Sequence, residues 1–594
     1  MGRIPARILV ALVALALSLF VAACGGGDDE ETSSSGGSGG NGAEGAPPKG
    51  KKGGTIKMLA STDVDYMDPG QTYYTIGQMI ALATQRHLYA IPPGKTEPVP
   101  DLAAAPPEIS DDNKMITVKL RTGVKFAPPV NREVTSADIK YAFERAFTTN
   151  VNNQYATTYF NSLDGAPAER GKYKPISGIE TPDDQTVVFK LSEPAAVPFA
   201  AALTMEIGIP IPKEYAQKFD RKSPTDYDNY VVATGPYMVA NDSKGKIDGV
   251  GWKKTRSIEL VRNPNWNGKA TGDFRPAYVD KWSITTNNTD ATVASRQVLA
   301  GSGLVFDSNP PAAVLAQAVR RNKDQVLTHA TGGYRYFPMN TTIKPFDDVN
   351  VRKAVIAAFD RDAARKARGG KYIGEIPTHF LPPDFPGFEE AGGMQGPGVD
   401  YLKNPRGDMA LAAEYMKKAG FASGKYDGNK TFLMIASNVD PGKAQAEVAQ
   451  AQLEKLGFNM KLRLVPQDAV YTEWCQVPEK NVAMCGGAGW QKDFFDPQSM
   501  LQPVFSGDSI NPRGGNNNMA ELDDPKINEA MDKAALTTGD ARNKAWGDVD
   551  KMITEQAPAV PFVWDNQTLV FSKNVQGVAN PSSTLFDLSF TSLK

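Results

Sequence analysis

The residue types that most often carry catalysis are few and scattered in this chain of 594 residues. Its three histidines, His87, His329 and His379, lie far apart, and no H-E-x-x-H, P-loop or strand-linked G-x-G-x-x-G motif accompanies them. Residues 36–40 match G-x-S-x-G, but they lie in a Gly/Ser tract without the strand and helix that a nucleophile elbow needs. A catalytic triad formed by residues that are distant in sequence stays an open alternative. We therefore expect a protein that is not an enzyme, with a secreted hydrolase as the remote alternative.

Cysteine is the other residue type with reactive chemistry, and two of the three cysteines form a pair. Cys475 and Cys485 are ten positions apart, and no histidine lies near either, so metal binding is disfavoured. An oxidising compartment would allow them to form a disulfide that closes a short loop. Two free buried thiols are the alternative. We predict the disulfide, no metal site and no cofactor.

Cys24 stands apart from this pair because of the sequence that precedes it. Arg3 and Arg7 form a basic start, residues 8–23 are almost unbroken apolar sequence, and Val-Ala-Ala-Cys ends the run. A run of sixteen residues is shorter than the roughly 20 that span a membrane, and the order is that of a secretory signal peptide. The ending resembles a bacterial lipobox, in which the cysteine is lipidated. Residues 1–24 are therefore interpreted as a lipoprotein signal peptide, with a cleaved signal or a short anchor as the alternative.

The composition after Cys24 predicts a tether followed by a folded body. Residues 25–54 are rich in glycine, serine and charge and cannot bury a core, so we expect a flexible linker. About 540 residues follow, which is too many for one simple core and indicates two or three lobes. The net charge of −2 gives no electrostatic argument for a nucleic-acid partner. We expect an exported monomer held by lipid on the extracytoplasmic face of the membrane.

Apolar periodicity predicts mixed helices and strands in this body. Residues 116–120 alternate as in a half-buried strand, and Thr135 with Asp138 forms a capping-box pattern at the start of a helix. Residues 431–465 have the pattern of a strand, a helix and a second strand. A unit of this kind pairs its strands in parallel, which indicates an α/β lobe.

Five segments carry a further set of motifs. They are, in chain order, residues 101–147, Thr234-Gly235-Pro236-Tyr237, Leu260-Val261-Arg262-Asn263-Pro264, residues 345–354 and residues 489–497. The first resembles the signature region of the family 5 extracellular solute-binding proteins. The others resemble that family's T-G-P-Y turn, its R-N-P after a strand, its P-F-D-D-x-x-V-R-x-A and its W-x-x-D-Y-x-[DE]-P. Together they span nearly the whole folded region, so the chain resembles the peptide-binding components of ABC importers.

The resemblance implies an α/β, two-lobed periplasmic-binding-protein-like fold with a hinge and an extra inserted domain. Lobe I would comprise residues 55–98, 235–338 and 560–594, the extra domain residues 99–234, and lobe II residues 339–559. The ligand would be enclosed between the lobes by a hinge motion.

The W-x-x-D match points to the most specific binding residue. In peptide-binding members this aspartate pairs with the peptide's α-amino group, and on this chain it is Asp493. A cationic amine taken into a closed cleft needs a fixed anion. Asp496 before Pro497 suits a helix N-cap, which leaves Asp493 for the ligand, although capping by Asp493 is the alternative. Phe494 stands where the family often has tyrosine, which leaves the ligand preference open.

A second candidate site lies near the start of the folded region. Residues 65–69 resemble the family's x-x-L-D-P, and a few residues later the family supplies backbone contacts to peptides. Here those residues are Tyr73, Tyr74 and Thr75, and the contact would be strand addition. Packing of the tyrosines between lobes is an equal alternative. Trp490 would line the ligand pocket or lie in the core, and no motif identifies an arginine for a peptide carboxylate.

The predicted function is therefore the capture of an extracellular oligopeptide and its delivery to a membrane-embedded ABC permease. The alternative is the same role for an oligosaccharide, an opine or a metal chelate. A cationic amine would require Asp493, whereas a sugar would stack on Trp490, Tyr73 and Tyr74.

Overall fold

A computed structural model describes residues 49–594, except residues 96, 384, 513–514 and 580–584. The predicted signal peptide, its Cys24 and most of the predicted linker lie outside these residues. Within the described part, no helix combines the length and the apolar character that crossing a lipid bilayer requires.

Twenty strands occur in the described residues. They are β1 (Thr55–Leu59), β2 (Tyr89–Ala90), β3 (Val99–Pro100), β4 (Glu108–Ile109), β5 (Met115–Lys119), β6 (Ile179–Asp183), β7 (Thr186–Lys190), β8 (Tyr237–Val239), β9 (Trp252–Lys253), β10 (Ser257–Arg262), β11 (Lys281–Thr285), β12 (Leu304–Phe306), β13 (Val326–Pro338), β14 (Thr431–Ser437), β15 (Asn459–Val465), β16 (Met484–Gly486), β17 (Ala488–Gln491), β18 (Ala559–Val570), β19 (Val575–Gln576) and β20 (Ser592–Leu593).

Fifteen α-helices accompany them in the same part of the chain. They are α1 (Thr75–Thr84), α2 (Ser136–Ala146), α3 (Ala156–Tyr159), α4 (Ala196–Ala202), α5 (Lys213–Asp220), α6 (Ala291–Ala300), α7 (Ala312–Arg321), α8 (Val349–Ala358), α9 (Arg361–Arg368), α10 (Met409–Lys418), α11 (Gly442–Lys455), α12 (Gln467–Ala469), α13 (Pro497–Phe505), α14 (Pro525–Ala535) and α15 (Gly539–Gln556).

The largest sheet joins the start of the folded chain to strands more than 170 positions later. Its order is β12-β1-β11-β10-β8, with β9 beside β10. β1 pairs in parallel with both β11 and β12, while β10 pairs antiparallel with β11 and β8. Ile56 and Met58 of β1 are fully buried in a core shared with α1 and with Trp282 of β11. Burial on one face and exposure on the other give β1 its alternating pattern.

An antiparallel sheet of order β4-β5-β7-β6 contains the predicted strand at residues 116–120. The predicted capping box at the start of α2 is confirmed, since the Thr135 N–H donates to the Asp138 carboxylate over 2.8 Å. Phe143 of α2 packs on Phe189 of β7 with ring centroids 5.1 Å apart. The helix therefore covers one face of this sheet.

The predicted strand–helix–strand unit is also confirmed. β14, α11 and β15 follow one another, and β14 pairs in parallel with β15 and with β16. A parallel connection needs a crossover of about a dozen residues or more, and α11 supplies it.

The longest strands of the described chain, β13 and β18, form a separate sheet of order β17-β13-β18. Their antiparallel register runs from Val326 opposite Val570 to Pro338 opposite Ala559, with an irregularity between Ala330 and Gly333. β17 adds on the other side of β13, where Arg335 lies opposite Gly489. This sheet positions the candidate site.

Buried ion pairs fix the segments around β1 and α1. Asp101, fully buried, accepts from Arg86 and from Arg275, the latter at 3.0 Å. Arg145 of α2 pairs with Asp68 at 2.7 Å. Because removing one partner from such a pair leaves an uncompensated buried charge, these contacts hold the loop before α1 in one position.

A disulfide joins Cys475 to Cys485 in the structure, as predicted. Cys475 ends a π-helical turn at Val470–Cys475, and Cys485 lies in β16, with the two Cα atoms 6.1 Å apart. Both cysteines are buried. The bond therefore attaches the turn to the strand that directly precedes β17.

Replacing both cysteines, Cys475→Ser with Cys485→Ser, should lower the free energy of unfolding by about 2–3 kcal/mol, the loop-closure value for a loop of this size. Denaturant unfolding of oxidised wild type and double variant measures the difference. Reductant should lower the stability of the wild type by a similar amount and leave the variant unchanged. The unreduced wild type should be two hydrogen masses lighter than the reduced protein. Ready alkylation of both thiols without reductant would contradict the prediction.

Candidate functional site

A cavity lies where the chain after β17 meets residues of the amino-terminal half. Its walls come from two residues of α1 and from three later segments: Gln78, Leu82, His87, Ala90, Ile91, residues 204–206 and residues 492–495. The space between these residues, counted together with the solvent to which it opens, is about 550 Å³.

Asp493 lies in the wall of this cavity, in the turn between β17 and α13. The neighbouring Asp496 caps α13, since its carboxylate accepts from the Gln498 N–H at 2.9 Å. Asp496 also pairs with Arg542 at 2.7 Å. The prediction that Asp496 is the structural aspartate is therefore confirmed, and the Asp493 carboxylate is left facing the cavity.

The Asp493 carboxylate has hydroxyl groups as its partners. The Tyr159 hydroxyl at the end of α3 donates to Asp493 Oδ2, and in the described residues no cation forms an ion pair with this carboxylate. Burial raises the pKa of Asp493 to about 7, although hydrogen bonds from Tyr159 and Tyr155 oppose the shift. The site thus holds a carboxylate that lacks a counter-charge.

Aromatic rings form one wall around this carboxylate. Tyr155 stacks on Tyr159 with centroids 5.9 Å apart, and Tyr73 lies against Tyr155 at the same distance. Phe494 meets Tyr159 edge-on at 4.9 Å. The pKa of Tyr159 is raised well above its usual value by burial and by the charge of Asp493, so its hydroxyl stays a proton donor.

A second acid, Glu206, lines the same cavity. Burial raises its pKa to about 7, and the charge of Asp493 contributes to the shift. The His87 Nε2 lies 4.0 Å from Glu206 Oε1, but burial and the charge of Arg275 lower the pKa of His87 to about 3. His87 is therefore neutral and does not neutralise the acids.

Lys492, next to Asp493, also lines the cavity. Its Nζ donates to the Thr331 carbonyl oxygen at 2.7 Å, and burial lowers the pKa of Lys492 to about 8. It makes no ion pair with any carboxylate in the described part of the chain. The cavity thus contains opposite charges that do not neutralise one another.

Tyr73 borders the site, but its backbone is not free in the way that strand addition requires. The N–H groups of Tyr73 and Tyr74 donate to Asp65 Oδ2 at 2.6 and 3.2 Å. Thr75 begins α1, and Tyr74 packs on the core beneath the largest sheet. Asp65 therefore occupies two of the N–H groups that strand addition would use; a ligand contact from Tyr73, Tyr74 or Thr75 stays a prediction.

Trp490 lies on the opposite face of β17 from Gly489 and Gln491. Its side chain is 5% exposed and packs in the core around Tyr334, and its indole N–H donates to the Ser499 carbonyl oxygen at 2.8 Å. Of the two roles expected for Trp490, this position favours the core, and Trp490 is not among the residues that line the described cavity.

The sequence did not indicate Tyr155, Tyr159 or Glu206. They belong to the segment between β5 and β8, and their spacing carries no motif. Tyr159 reaches Asp493 across 334 positions of the chain. The one signal available in the sequence is that Tyr155 and Tyr159 are four residues apart, a spacing that places two side chains on the same face of a helix.

The three histidines do not form a common site. His379 Nδ1 lies 2.7 Å from Asp550, and its Nε2 lies 3.0 Å from the Gly393 carbonyl oxygen. His87 lies at the cavity, and His329 lies within β13. His379 thus corresponds to a core histidine with both nitrogens bonded.

Comparison with known families identifies the fold and the class of site. Residues 97–512 match the bacterial extracellular solute-binding proteins, family 5 Middle. The chain belongs to this family. Its fold is accordingly the α/β two-lobed fold of periplasmic binding proteins, as the resemblance implied.

Several relatives of this solute-binding protein have names that state a ligand. The oligopeptide-binding protein OppA of Bacillus subtilis is 23% identical over 80% of this chain and 81% of its own length. A dipeptide-binding protein of Pseudomonas aeruginosa is 26% identical over 86% and 89%. Heme-binding protein A of Haemophilus influenzae is 28% identical over 82% of each.

A solved structure agrees with these relatives. Clavulanic acid biosynthesis oligopeptide binding protein 2 superposes with a TM-score of 0.78 at 26% identity, covering 92% of this chain and 96% of that chain. The similarity therefore extends over nearly the whole length of both chains.

The raised pKa of Asp493 makes stability depend on pH. Its pKa is higher in the folded than in the unfolded state, so its contribution favours folding below about pH 4 and is lost as the pH rises through about 7. Asp493→Asn has no carboxylate to ionise, so it does not lose this stability as the pH rises. The variant should therefore gain about 1–3 kcal/mol of stability relative to wild type between pH 4.5 and pH 8.

Denaturant unfolding across this pH range measures the change. Glu206→Gln should show a change of the same sign, because the two acids share one cavity. Glu180→Gln, an exposed acid of β6, should follow the wild type. If the free energies of unfolding of wild type and Asp493→Asn change with pH in parallel, the pKa of Asp493 is not raised in the folded protein.

Proposed function

We propose that this solute-binding protein captures a short peptide by its N-terminal ammonium and delivers it to the permease of an ABC importer. The observation that carries the proposal is the Asp493 carboxylate, which lines a cavity and has tyrosine hydroxyls as its partners. A ligand ammonium would supply the missing counter-charge. The names of the oligopeptide- and dipeptide-binding relatives support a peptide.

The mechanism of capture follows from the electrostatics of the cavity. Without ligand, the raised pKa keeps part of the Asp493 population protonated near neutral pH. An ammonium that enters the cavity stabilises the ionised form and takes the place of the Tyr159 hydroxyl, or adds to it. Burial then strengthens the new ion pair, because it is shielded from water.

We further propose that closure is a hinge motion between lobe I (55–98, 235–338, 560–594) and lobe II (339–559), with residues 99–234 as the extra domain. The paired strands β13 and β18 end near residues 338 and 559, at the proposed boundaries. Two strands that cross between lobes can bend without breaking either core. The Tyr159–Asp493 hydrogen bond would then form as residues of the extra domain meet those of lobe II.

A second candidate function is the same transport role for a non-peptide solute, such as an oligosaccharide, an opine or a metal chelate. The aromatic wall of Tyr73, Tyr155 and Tyr159 supports it, since stacked rings suit flat or sugar-like ligands. The heme-binding relative supports it as well. Hydrolysis remains the remote alternative.

Asp493→Asn should keep the fold and weaken trialanine binding by roughly thirty- to several-thousand-fold. This range corresponds to about 2–5 kcal/mol for a buried charged contact broken from one side. N-acetyl-trialanine should bind the wild type more weakly than trialanine by a similar factor, and acetylation should add little in the variant. Titration calorimetry on the four combinations measures the coupling.

The pH dependence provides an internal control for this cycle. Wild-type affinity for trialanine should fall as the pH is lowered from 8 to 5.5, because Asp493 must be ionised to bind an ammonium, whereas Asp493→Asn should show no such fall. Equal binding of acetylated and free peptide by the wild type would rule out an ammonium anchor. The non-peptide function would then be favoured.

We also propose that Cys24 carries a lipid that holds the protein, as a monomer, on the extracytoplasmic face of the membrane. The family is extracellular by its description, and the basic, apolar and Val-Ala-Ala-Cys order of residues 1–24 supports a lipid anchor. The glycine- and serine-rich composition of the predicted linker, residues 25–54, supports a tether between this lipid and the folded body. The tether would end before Gly53 and Gly54, which donate hydrogen bonds to Tyr278 and Asp280.

Cys24→Ala should release the protein from the membrane fraction or leave the precursor uncleaved. Fractionation of cells that express each form, followed by mass measurement of the product, tests this. Cys475→Ser serves as a matched control, because it removes a cysteine outside the signal and should leave the protein in the membrane fraction. Normal processing with unchanged membrane retention of Cys24→Ala would disprove the lipid anchor.

A further inference from the structure

Glu206 is a second carboxylate in the wall of the cavity that Asp493 lines. It begins a single 3-10 turn, Glu206–Gly208, between α4 and α5, and its side chain is 14% exposed. Among the described residues, no lysine or arginine forms an ion pair with this carboxylate. A carboxylate that is largely withdrawn from water needs a cation or several hydrogen bonds to offset its lost hydration. Glu206 therefore has a requirement that the surrounding protein does not meet.

His87 is the nitrogen-bearing side chain beside Glu206, but it does not meet this requirement. The His87 Nε2 lies 4.0 Å from Glu206 Oε1, which is beyond the distance of about 3.2 Å that a hydrogen bond allows. Burial and the charge of Arg275 lower the pKa of His87, so the ring is neutral. Its Nδ1 is buried and has no hydrogen-bond partner in the described part of the chain.

The position of His87 is fixed by its backbone. The His87 N–H donates to the buried Asp101 Oδ2 at 3.1 Å. A neutral imidazole keeps one nitrogen as an acceptor, so the ring and the Glu206 carboxylate together present acceptors to one donor. A ligand group with several N–H bonds and a positive charge would suit this pair.

Apolar side chains line the same cavity. Leu82 belongs to α1, Ile91 follows β2 and Met205 directly precedes Glu206, and each is at most 5% exposed. Such a wall suits the methylene stem of a long side chain whose charged end meets a carboxylate. The cavity therefore favours an extended amphipathic cation over a compact one.

Glu206 and Asp493 act on the same part of the cavity. Burial raises the pKa of Glu206, and the charge of Asp493 adds to the shift. Burial likewise raises the pKa of Tyr155, with contributions from the charges of both acids. Tyr155 stacks on Tyr159, whose hydroxyl donates to Asp493. One residue of a ligand that carries two cationic groups would therefore serve both acids.

We propose that Glu206, together with His87, is a subsite for a second cationic group, carried by the side chain of the peptide's first residue. The α-ammonium would bind Asp493, and the side-chain ammonium of a lysine-like residue would bind Glu206 while its methylenes pack on the apolar wall. An ammonium has three N–H donors, enough for the carboxylate and the imidazole together. This inference rests on the proposed function and adds that the captured peptide begins with a basic residue.

Lys492 is the cation of the protein that would compete for Glu206, because it lines the same cavity. Its Nζ donates instead to the Thr331 carbonyl oxygen of β13 at 2.7 Å, and it forms no ion pair with Glu206 among the described residues. If Lys492 turned to Glu206 when a ligand binds, a second ligand cation would be repelled. A peptide with a neutral first residue would then bind more tightly than a basic one.

The test compares lysyl-dialanine with norleucyl-dialanine, which has the same four-carbon stem without the ammonium, by titration calorimetry at pH 8. The wild type should bind the lysyl peptide at least ten-fold more tightly. In Glu206→Gln the two peptides should differ less than three-fold. Glu180→Gln, an exposed acid of β6 that pairs with Lys190 at 2.6 Å, should keep the wild-type factor.

The position of the lysine provides a second readout. In alanyl-lysyl-alanine and dialanyl-lysine, exchange of lysine for norleucine should change wild-type affinity less than three-fold, because the second cation then belongs to a later residue. A preference for lysine at the third position equal to that at the first would contradict the subsite.

Three outcomes would overturn the inference. They are equal binding of lysyl- and norleucyl-dialanine by the wild type, a preference for the norleucyl peptide, and an undiminished preference for lysine in Glu206→Gln. If Glu206→Gln does not fold, Glu206→Asp decides the question. This variant keeps the charge but withdraws it by one methylene group and should reduce the lysine preference at least three-fold, whereas an unchanged factor contradicts the inference.

Trialanine separates this inference from the proposed function, because it carries no second cation. Its N-acetylation penalty should persist in Glu206→Gln. If that penalty is present while the preference for lysine is absent, peptide capture through Asp493 stands and the Glu206 subsite does not. Loss of all peptide binding by the wild type would instead reject the proposed function, and the subsite with it.

Discussion

A carboxylate that is buried away from water and has no cation beside it is energetically unfavourable. Asp493 is such a carboxylate, and the neighbouring residues of the site leave it without a counter-charge. Its neighbour Asp496 takes the cap of α13 and pairs with Arg542, so no helix end neutralises Asp493. Tyr159 offers a hydroxyl, which stabilises the carboxylate less than an opposite charge does. For the proposed ammonium ligand, the difference in strength between these two interactions would favour binding. The disulfide and the buried pairs around Asp68 keep the surrounding segments fixed, so little of that free energy is lost in ordering the site.

Those features that depend on neighbours in sequence were predictable. The capping box at Thr135, the cap at Asp496 before Pro497, and the parallel unit of β14, α11 and β15 each follow from a local hydrogen-bond demand or from an apolar period. The pairing of Cys475 with Cys485 follows from the same short-range reasoning. The family motifs then identified the two-lobed fold and selected Asp493 within it. A motif of this kind indicates one residue of the site but does not indicate the other residues that surround it.

The contacts between distant segments were not predictable. Tyr159 meets Asp493 across 334 positions of the chain, and no periodicity marks a residue that completes a site formed by so distant a segment. The Tyr73 segment was expected to offer its backbone, but Asp65 occupies those N–H groups because an acid eight or nine residues earlier satisfies them first. Of the two positions expected for Trp490, the core is favoured for a simpler reason. Successive residues of a strand point to opposite faces, and the face that receives Trp490 is the core.

One short stretch of chain combines several of these roles. Gly489 leaves space for Arg335, Asp493 faces the cavity, and Asp496 caps α13, all within eight positions. A substitution at one of these positions alters a single contact. An insertion or deletion between them would change the length of the turn that joins β17 to α13, and would displace Asp493 from the cavity or Asp496 from the helix that it caps. This segment is therefore expected to vary in residue type among related transporters while its length is preserved, so that ligand range diversifies by exchange of side chains rather than by loop remodelling.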